Sequence, residues 1–294
     1  MKDLIRVSWI YFKGKDMIKA IFFDIDGTLV TRQSEALKST KRAIKEAQAR
    51  GILCGIATGR GPVHLDERID FLDMDMFVTY NGQLVYQGDQ DIYQRPFEQD
   101  VLREIVTFAD AEHRQVVFGA RRRIDGSFVM RLSQLAWVKW VAALMPKWFP
   151  VRTTKGLLQS FSPNRSKGRY SRLSILNEPI YQCVMFSAES ETEKLLHRLP
   201  NVTFQRSNPY SVDIVPKGGS KFLGIQKFLE ANQIDVSEVM AFGDHLNDLE
   251  MLEGVGIGVA MGNAEQETKD RADYVTDTNE NDGIYKALKH FDII

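Results

Sequence analysis

Four short apolar runs, each ending abruptly in a cluster of polar residues, constrain this chain more than any other feature. Residues 18–23 stop at Asp24, and 52–57 stop at Thr58-Gly59-Arg60. Residues 76–80 lead into Asn81-Gly82, and 239–242 lead into the polar turn 243–248. Runs without the polar alternation of a half-exposed strand are the form expected of parallel strands covered on both faces. Between the first two, Ser39 or Thr40 is suited to cap a helix that carries Ile44 and Ala47 on one face and stops at Gly51. The C-terminal part repeats this order with a helix over 220–232, the strand 239–242, its turn, and a strand over 255–260. The alternation predicts an α/β fold with a right-handed, mostly parallel, Rossmann-like sheet. Ligands of such sheets lie beyond the carboxyl ends of the strands, where all of these polar turns fall.

The middle of the chain follows a different pattern. Around Gly88-Asp89 the pieces 83–87 and 91–95 pair as a hairpin. Residues 180–186 form an apolar strand, and amphipathic helices are expected near 98–112 and 190–198. This predicts an inserted α+β domain over 84–216, with the core built from 17–83 and 217–294, a division that suits 294 residues. Asn81-Gly82 and the segment 216–219, Pro-Lys-Gly-Gly, mark the crossings. The clean strand pattern begins just after Met17, so 1–16 is read as an extension. No apolar run approaches the roughly 18 residues of a membrane span, and 4–12 is broken by Arg6 and lacks a cleavage site. Cys54 and Cys183 each sit in a strand-like run, as reduced buried thiols do. The expected location is the cytoplasm.

Asp24-Ile25-Asp26-Gly27-Thr28-Leu29 places two carboxylates two positions apart at the end of a buried strand. They repel unless a cation or a shared proton intervenes, and a hard divalent ion with oxygen ligands answers that need. Gly27 permits the tight turn and Thr28 can bond locally to fix it. An acidic turn that merely caps a helix would look the same in isolation. Asp244 and Asp248, after another apolar strand, add the carboxylates that a Mg²⁺ site would otherwise lack. Thr58 and Gly59 offer a hydroxyl and an unhindered amide to an anionic oxygen. Lys221 opens a helix, where the dipole disfavours a cation but a bound phosphate would favour one.

In order, Asp24-Ile-Asp-Gly-Thr-Leu, Thr58-Gly-Arg, Lys221 and Gly243-Asp-His-Leu-Asn-Asp248 resemble the four motifs of the haloacid-dehalogenase superfamily. Asn81-Gly82, Met261-Gly-Asn-Ala264 and Asp282-Gly283 are similar to its Cof-type subfamily of phosphatases, in which a large α/β cap separates the second and third motifs. The resemblance covers 17–294. It implies a Mg²⁺-dependent phosphatase in which Asp24 attacks phosphorus to give an aspartyl-phosphate. Asp26 would protonate the leaving oxygen and then deprotonate the hydrolytic water. It places Mg²⁺ on Asp24, the Asp26 main-chain carbonyl and Asp244, with Asp248 as a further ligand or as the group that orients one. The phosphate oxygens meet the Ile25 amide, Thr58, Gly59, Lys221 and Asn247. Arg60 and Asn81 stand one layer out, as substrate or cap contacts or as a structural salt bridge and turn. His245 is not expected to bind the metal, because Mg²⁺ prefers oxygen.

Net charge is −1, yet residues 113–172 hold thirteen Lys or Arg against a single acid, Asp125. Such segregation speaks of anionic ligands or of a solvated face. Arg121-Arg122-Arg123 is its densest cluster. Trp137, Trp140 and Trp148 lie in the same region, and the spacing of the first two suits a buried helix face. The expected substrate is a small phosphorylated metabolite: a sugar phosphate, a phosphorylated cofactor or a nucleotide. A sugar phosphomutase is the nearest alternative, weakened because such enzymes carry a longer glycine-rich fourth motif. A non-catalytic nucleic-acid-binding protein using the basic cap is the alternative of another class, and intact catalytic motifs count against it.

Overall fold

A computed structural model describes residues 18–127, 168–208 and 210–294. The strands, in chain order, are β1 (Ala20–Phe23), β2 (Leu53–Ala57), β3 (Met76–Thr79), β4 (Leu84–Gln87), β5 (Gln90–Gln94), β6 (Val116–Gly119) and β7 (Ile124–Gly126). They continue with β8 (Gln182–Phe186), β9 (Val202–Asn208), β10 (Ser211–Pro216), β11 (Val239–Gly243), β12 (Ile257–Ala260) and β13 (Tyr274–Val275). Two sheets result, in the orders β13-β12-β11-β1-β2-β3-β4-β5 and β7-β6-β8-β10-β9.

The larger sheet shows why its strands read as continuous apolar runs. From β1, Ile21 and Phe23 enter one core with the helices Lys38–Ala49 and Gly283–His290, while Ala20 and Phe22 enter the other with Lys221–Asn232. Phe23 stacks on Phe242 of β11 at 5.2 Å, and Phe22 meets Phe228 edge-on at 5.9 Å. Each buried phenyl contributes about 1.5–3 kcal/mol, so a polar residue on either face of β1 would be costly. The pairs from β13 through β3 are parallel, in keeping with the α/β expectation.

Contacts divide the chain into two units. One ends at Arg95 and resumes at Gly218, and the other runs Pro96–Lys217. The hairpin of β4 and β5, which the sequence pattern assigns to the insert, instead extends the larger sheet antiparallel to β3. Tyr80, Asn81 and Gly82 all have positive φ, and this tight turn folds β4 straight back along β3. Leu84 and Val85 are fully buried, and Tyr86 stacks on Phe77 at 5.0 Å. Alternation alone cannot say which sheet a hairpin joins.

A second difference lies at the first helix, which begins at Lys38 with Leu37 as its cap residue. Ser39 and Thr40 therefore fall inside the first turn, where Thr40 is buried and the Ser39 hydroxyl bonds Asp282. By contrast Ser220 caps the helix Lys221–Asn232, its Oγ accepting from the Leu223 amide at 3.2 Å.

In the Pro96–Lys217 unit the helices Gln99–Ala111 and Thr192–Arg198 contribute to an apolar core with one face of the antiparallel sheet. Tyr170 is buried there, its hydroxyl accepting from Val116 N at 3.0 Å and donating to Arg114 O at 2.9 Å. The basic segment is described only in part. Arg114 forks onto Glu191 at 3.1 and 3.0 Å, and Arg123 pairs with Glu178 at 2.6 Å. Trp137, Trp140, Trp148 and the rest of residues 128–167 of the basic segment lie outside the described residues. Cys54 and Cys183 are free and buried, and burial pushes the Cys54 thiol up to about 12. Among the described residues, no helix is long and apolar enough to cross a membrane.

Candidate active site

The polar turns meet at the carboxyl edge of the larger sheet. Asp24 follows β1 and is fixed by its amide, which donates to Phe242 O at 3.0 Å. Leu29 N returns to Asp24 O at 3.2 Å and Val30 N to Ile25 O at 3.2 Å, so the 24–30 turn closes on itself. Gly27 stands at φ +88°, and a Cβ there would lie 2.2 Å from Asp244 Oδ2. Glycine is thus required both by the backbone and by the approach of the acidic turn. Thr28 Oγ1 donates to Asp244 Oδ1 at 3.1 Å, joining residues 216 positions apart.

Lys221 is the most buried cation of the site. It is fully enclosed, and its Nζ donates to Asp24 Oδ1 and to Asp248 Oδ1, each at 2.6 Å. The other Asp248 oxygen accepts from Asp244 N at 3.0 Å and His245 N at 3.1 Å, which shapes the turn after β11. Burial works against the Lys221 ammonium, but the attraction of Asp24 and Asp248 prevails and raises its pKa. Burial likewise raises the Asp24 carboxyl well above its ordinary range; Lys221 opposes the shift, and Asp248 and Asp244 add to it. Asp244 is pushed up to about 7 by burial and then by Asp248.

Those shifts describe a shortage of positive charge. Oxygens of Asp24, Asp244 and Asp248 lie within 4.8 Å of one another, and a single ammonium stands among three carboxylates. When all are ionised the cluster carries an excess of two negative charges. An all-oxygen donor set with that excess fits a hard divalent cation such as Mg²⁺.

The remaining expected residues fall around this cluster in different ways. Thr58 follows β2 and is buried; its hydroxyl accepts from Arg60 N at 3.1 Å, and its carbonyl accepts from Asn81 N at 2.9 Å. Ile25 is fully buried, while Gly59 and Asn247 are half-buried. The Asp26 side chain is not one of the three grouped carboxylates, though it stands near enough to Asp244 to add to the rise in its pKa. It is 59% exposed, and both its oxygens accept from Arg60, at 2.6 and 2.7 Å. Of the two roles open to Arg60, the structure contains the salt bridge. Asn81 is fully buried at φ +52°, and its carbonyl accepts from Gln83 Nε2 at 2.9 Å. It forms part of the turn beneath the site. His245 Nε2 faces Glu265 at 3.1 Å and lies outside the carboxylate cluster.

Two residues near the site do not follow from motif spacing. Asn263 Nδ2 donates to Gly27 O at 2.8 Å, and Asn279 Nδ2 donates to Val30 O at 2.8 Å. Asn263 lies in the Met261–Ala264 stretch that carries part of the subfamily resemblance, which assigns its side chain no partner. Asn279 sits in the polar run 278–282, whose density of Asn, Asp and Thr before Gly283 is the only sequence signal for it.

The family model for haloacid dehalogenase-like hydrolases matches residues 21–288. The chain belongs to the haloacid dehalogenase-like hydrolases. Among its relatives in this family, YkrA of Bacillus subtilis (strain 168) is 33% identical over 276 residues, covering 94% of this chain and 98% of that protein. The haloacid dehalogenase-superfamily phosphatase BT1666 from Bacteroides thetaiotaomicron superposes with a TM-score of 0.77 at 29% identity, over 96% of this chain and 97% of that one. The subclass IIB sugar phosphatase BT4131 gives a TM-score of 0.73 at 31% identity, over 94% and 100% of the two chains. With likeness of this extent to phosphatases of the superfamily, the chain is an enzyme of the phosphatase type.

Proposed function

We propose that this hydrolase is a Mg²⁺-dependent phosphatase of small phosphorylated metabolites, acting through a phosphoryl group carried on Asp24. The observation that carries the reading is the buried cluster of Asp24, Asp244 and Asp248 around one lysine, with its excess of negative charge. Asp24, Asp244, Asp248 and the Asp26 main-chain carbonyl would hold the ion. When bound, Mg²⁺ neutralises that excess and draws charge from the phosphoryl oxygens, as metals do in phosphoryl transfer.

The chain's own groups divide the remaining work. Asp24 Oδ attacks phosphorus in line, forming an O–P bond as the ester O–P bond breaks. Lys221, held at 2.6 Å from Asp24, keeps that carboxylate oriented and supplies a fixed positive charge beside the transferring group. The Ile25 and Gly59 amides, the Thr58 hydroxyl and the Asn247 side chain serve as donors to its oxygens. Asp26 gives a proton to the leaving oxygen, then takes one from the water that attacks the aspartyl-phosphate. Both Asp26 oxygens accept from Arg60, so Asp26 must give up one of these bonds before it can carry a proton. Arg60 therefore holds the Asp26 carboxyl group oriented until one of these bonds is given up.

Sugar phosphates lead the substrate classes, supported by the likeness to the sugar phosphatase BT4131. The two free thiols are consistent with a cytoplasmic enzyme. The test is a panel of phosphate esters assayed for phosphate release with Mg²⁺ and with EDTA. Release is expected with Mg²⁺ only and is expected to vanish in Asp24→Asn. Metal-independent release, or normal turnover by Asp24→Asn, would overturn the reading.

A further inference from the structure

The 24–30 turn is not held by its own bonds alone. The turn between β12 and the helix Gln266–Arg271 grips it from the side. Met261 N donates to Gly243 O at 3.0 Å and Glu265 N to Asp244 O at 3.1 Å, which seats this turn on the acidic loop after β11. From the same turn, the Asn263 side chain reaches across to Gly27 O at 2.8 Å. One five-residue turn thus touches the main chain of both halves of the carboxylate cluster. Gly262 N is in turn anchored to Asp277 O at 3.0 Å, and a Cβ on Gly262 would come within 2.9 Å of the 276–278 backbone.

A second amide continues the chain of bonds. Asn279 N donates to Asn263 Oδ1 at 3.0 Å, and Asn279 Nδ2 donates to Val30 O at 2.8 Å. Asn263 therefore has both ends of its amide committed, with the oxygen fixed by Asn279 and the nitrogen aimed at Gly27. Val30 also pairs with Asp26 through an isolated parallel bridge. The two amides hold the carbonyls of Gly27, the residue that follows Asp26, and of Val30, the residue that bridges back to it.

From this geometry we infer that Asn263 and Asn279 form a clasp that positions the Asp26 main chain and carboxylate relative to Asp24 and Asp244. They are positioning residues, because they act through two carbonyls of the turn. The clasp rests on the roles of Asp24 and Asp26 proposed above. Its effect belongs on the chemical step: displacing a reacting group by about 1 Å costs on the order of a hundredfold, whereas Thr58, Gly59, Lys221 and Asn247, which hold the phosphate from other turns, stay in place. Neither asparagine contributes to the apolar cores, so loss of one amide should leave the global fold intact.

Asn263→Ala, Asn279→Ala and the double variant test this directly. In the full-length protein, kcat for a phosphate ester hydrolysed by wild type is expected to fall about tenfold in either single variant, with KM within about twofold. The double variant should lose less than the product of the two, because the amides work in series. Asn263→Asp keeps the acceptor for Asn279 but sets a carboxylate oxygen against Gly27 O, and it should be at least as impaired as Asn263→Ala. Independently of activity, hydrogen exchange of the metal-free protein should be about tenfold faster in the peptide covering 24–31, with Tm unchanged. Wild-type exchange of that peptide in both single variants would overturn the clasp, whatever their activity. Absence of phosphatase activity in wild type would instead overturn the proposed function, and the exchange measurement would still decide whether the clasp exists.

Discussion

The carboxyl edge of the larger sheet and the surface of the Pro96–Lys217 unit solve opposite electrostatic problems. At the sheet edge, three carboxylates surround one buried ammonium and two of them are forced upward in pKa. In the second unit, two of the six described arginines of the basic segment have acidic partners: Arg114 pairs with Glu191 and Arg123 with Glu178. The first arrangement is unfinished without another cation, and those two pairs are complete as they stand. A small charge imbalance that burial prevents water from relieving thus points to a ligand where an exposed pair does not.

Removing Lys221 should break this contrast most severely. Lys221→Met leaves Asp24 and Asp248 buried and facing each other without compensation, a loss of about 3–5 kcal/mol for a broken buried pair. Urea unfolding in EDTA should show that loss, and phosphate release should fall at least about a hundredfold. If stability is unchanged, the buried ion pairs are not what holds the turns together.

A second expectation concerns pH. The Asp244 carboxyl titrates near about 7 in the metal-free folded protein, against its ordinary value of 3.8. Between these values the folded state binds the extra proton, so this group makes the metal-free protein less stable as pH rises from about 4 to about 7. Mg²⁺ must displace the same proton. Calorimetry should find apparent Mg²⁺ affinity weakening by up to about tenfold per pH unit below 7, with proton uptake by the buffer, and no such slope well above 7. A flat profile across 5.5–8.5 would place the charge excess elsewhere.

Smaller effects separate the regions further. Arg60→Ala removes the fork that orients Asp26 and should lower kcat roughly tenfold, and Arg60→Lys, which cannot form the fork, should recover only part of the loss. Arg123→Ala removes a half-exposed surface pair and should alter unfolding free energy by less than about 0.5 kcal/mol. A larger change there would mean that the second unit's charges are as tightly specified as those of the core.

Much of this contrast was legible in the sequence for one physical reason. A strand buried on both faces must be apolar, so the first polar residues after it stand out, and Asp24, Thr58 and Asp244 were found in this way. Lys221 stands out at a helix start because the Gly pair before it ends the preceding segment, and the Ser220 cap is what the structure adds. The membership of the β4–β5 hairpin could not be read, because a turn of three positive-φ residues decides which sheet it joins. The Asn263 and Asn279 amides were equally hidden, since their partners lie 236 and 249 residues away. The Arg60–Asp26 fork, 34 residues apart and between two recognised motifs, is within reach of the sequence, where a salt bridge is one of two roles open to Arg60.

The most direct measurement is rapid quenching of the Mg²⁺-loaded enzyme during turnover of a good phosphate ester, followed by mass spectrometry of the peptide that carries Asp24. The expected result is one phosphoryl group on Asp24, forming and decaying fast enough to account for kcat and accumulating when Asp26 is replaced by Asn and a highly activated ester is used. Turnover with no phosphoryl group on Asp24, or with the group on another residue, would contradict the assignment of Asp24 as nucleophile.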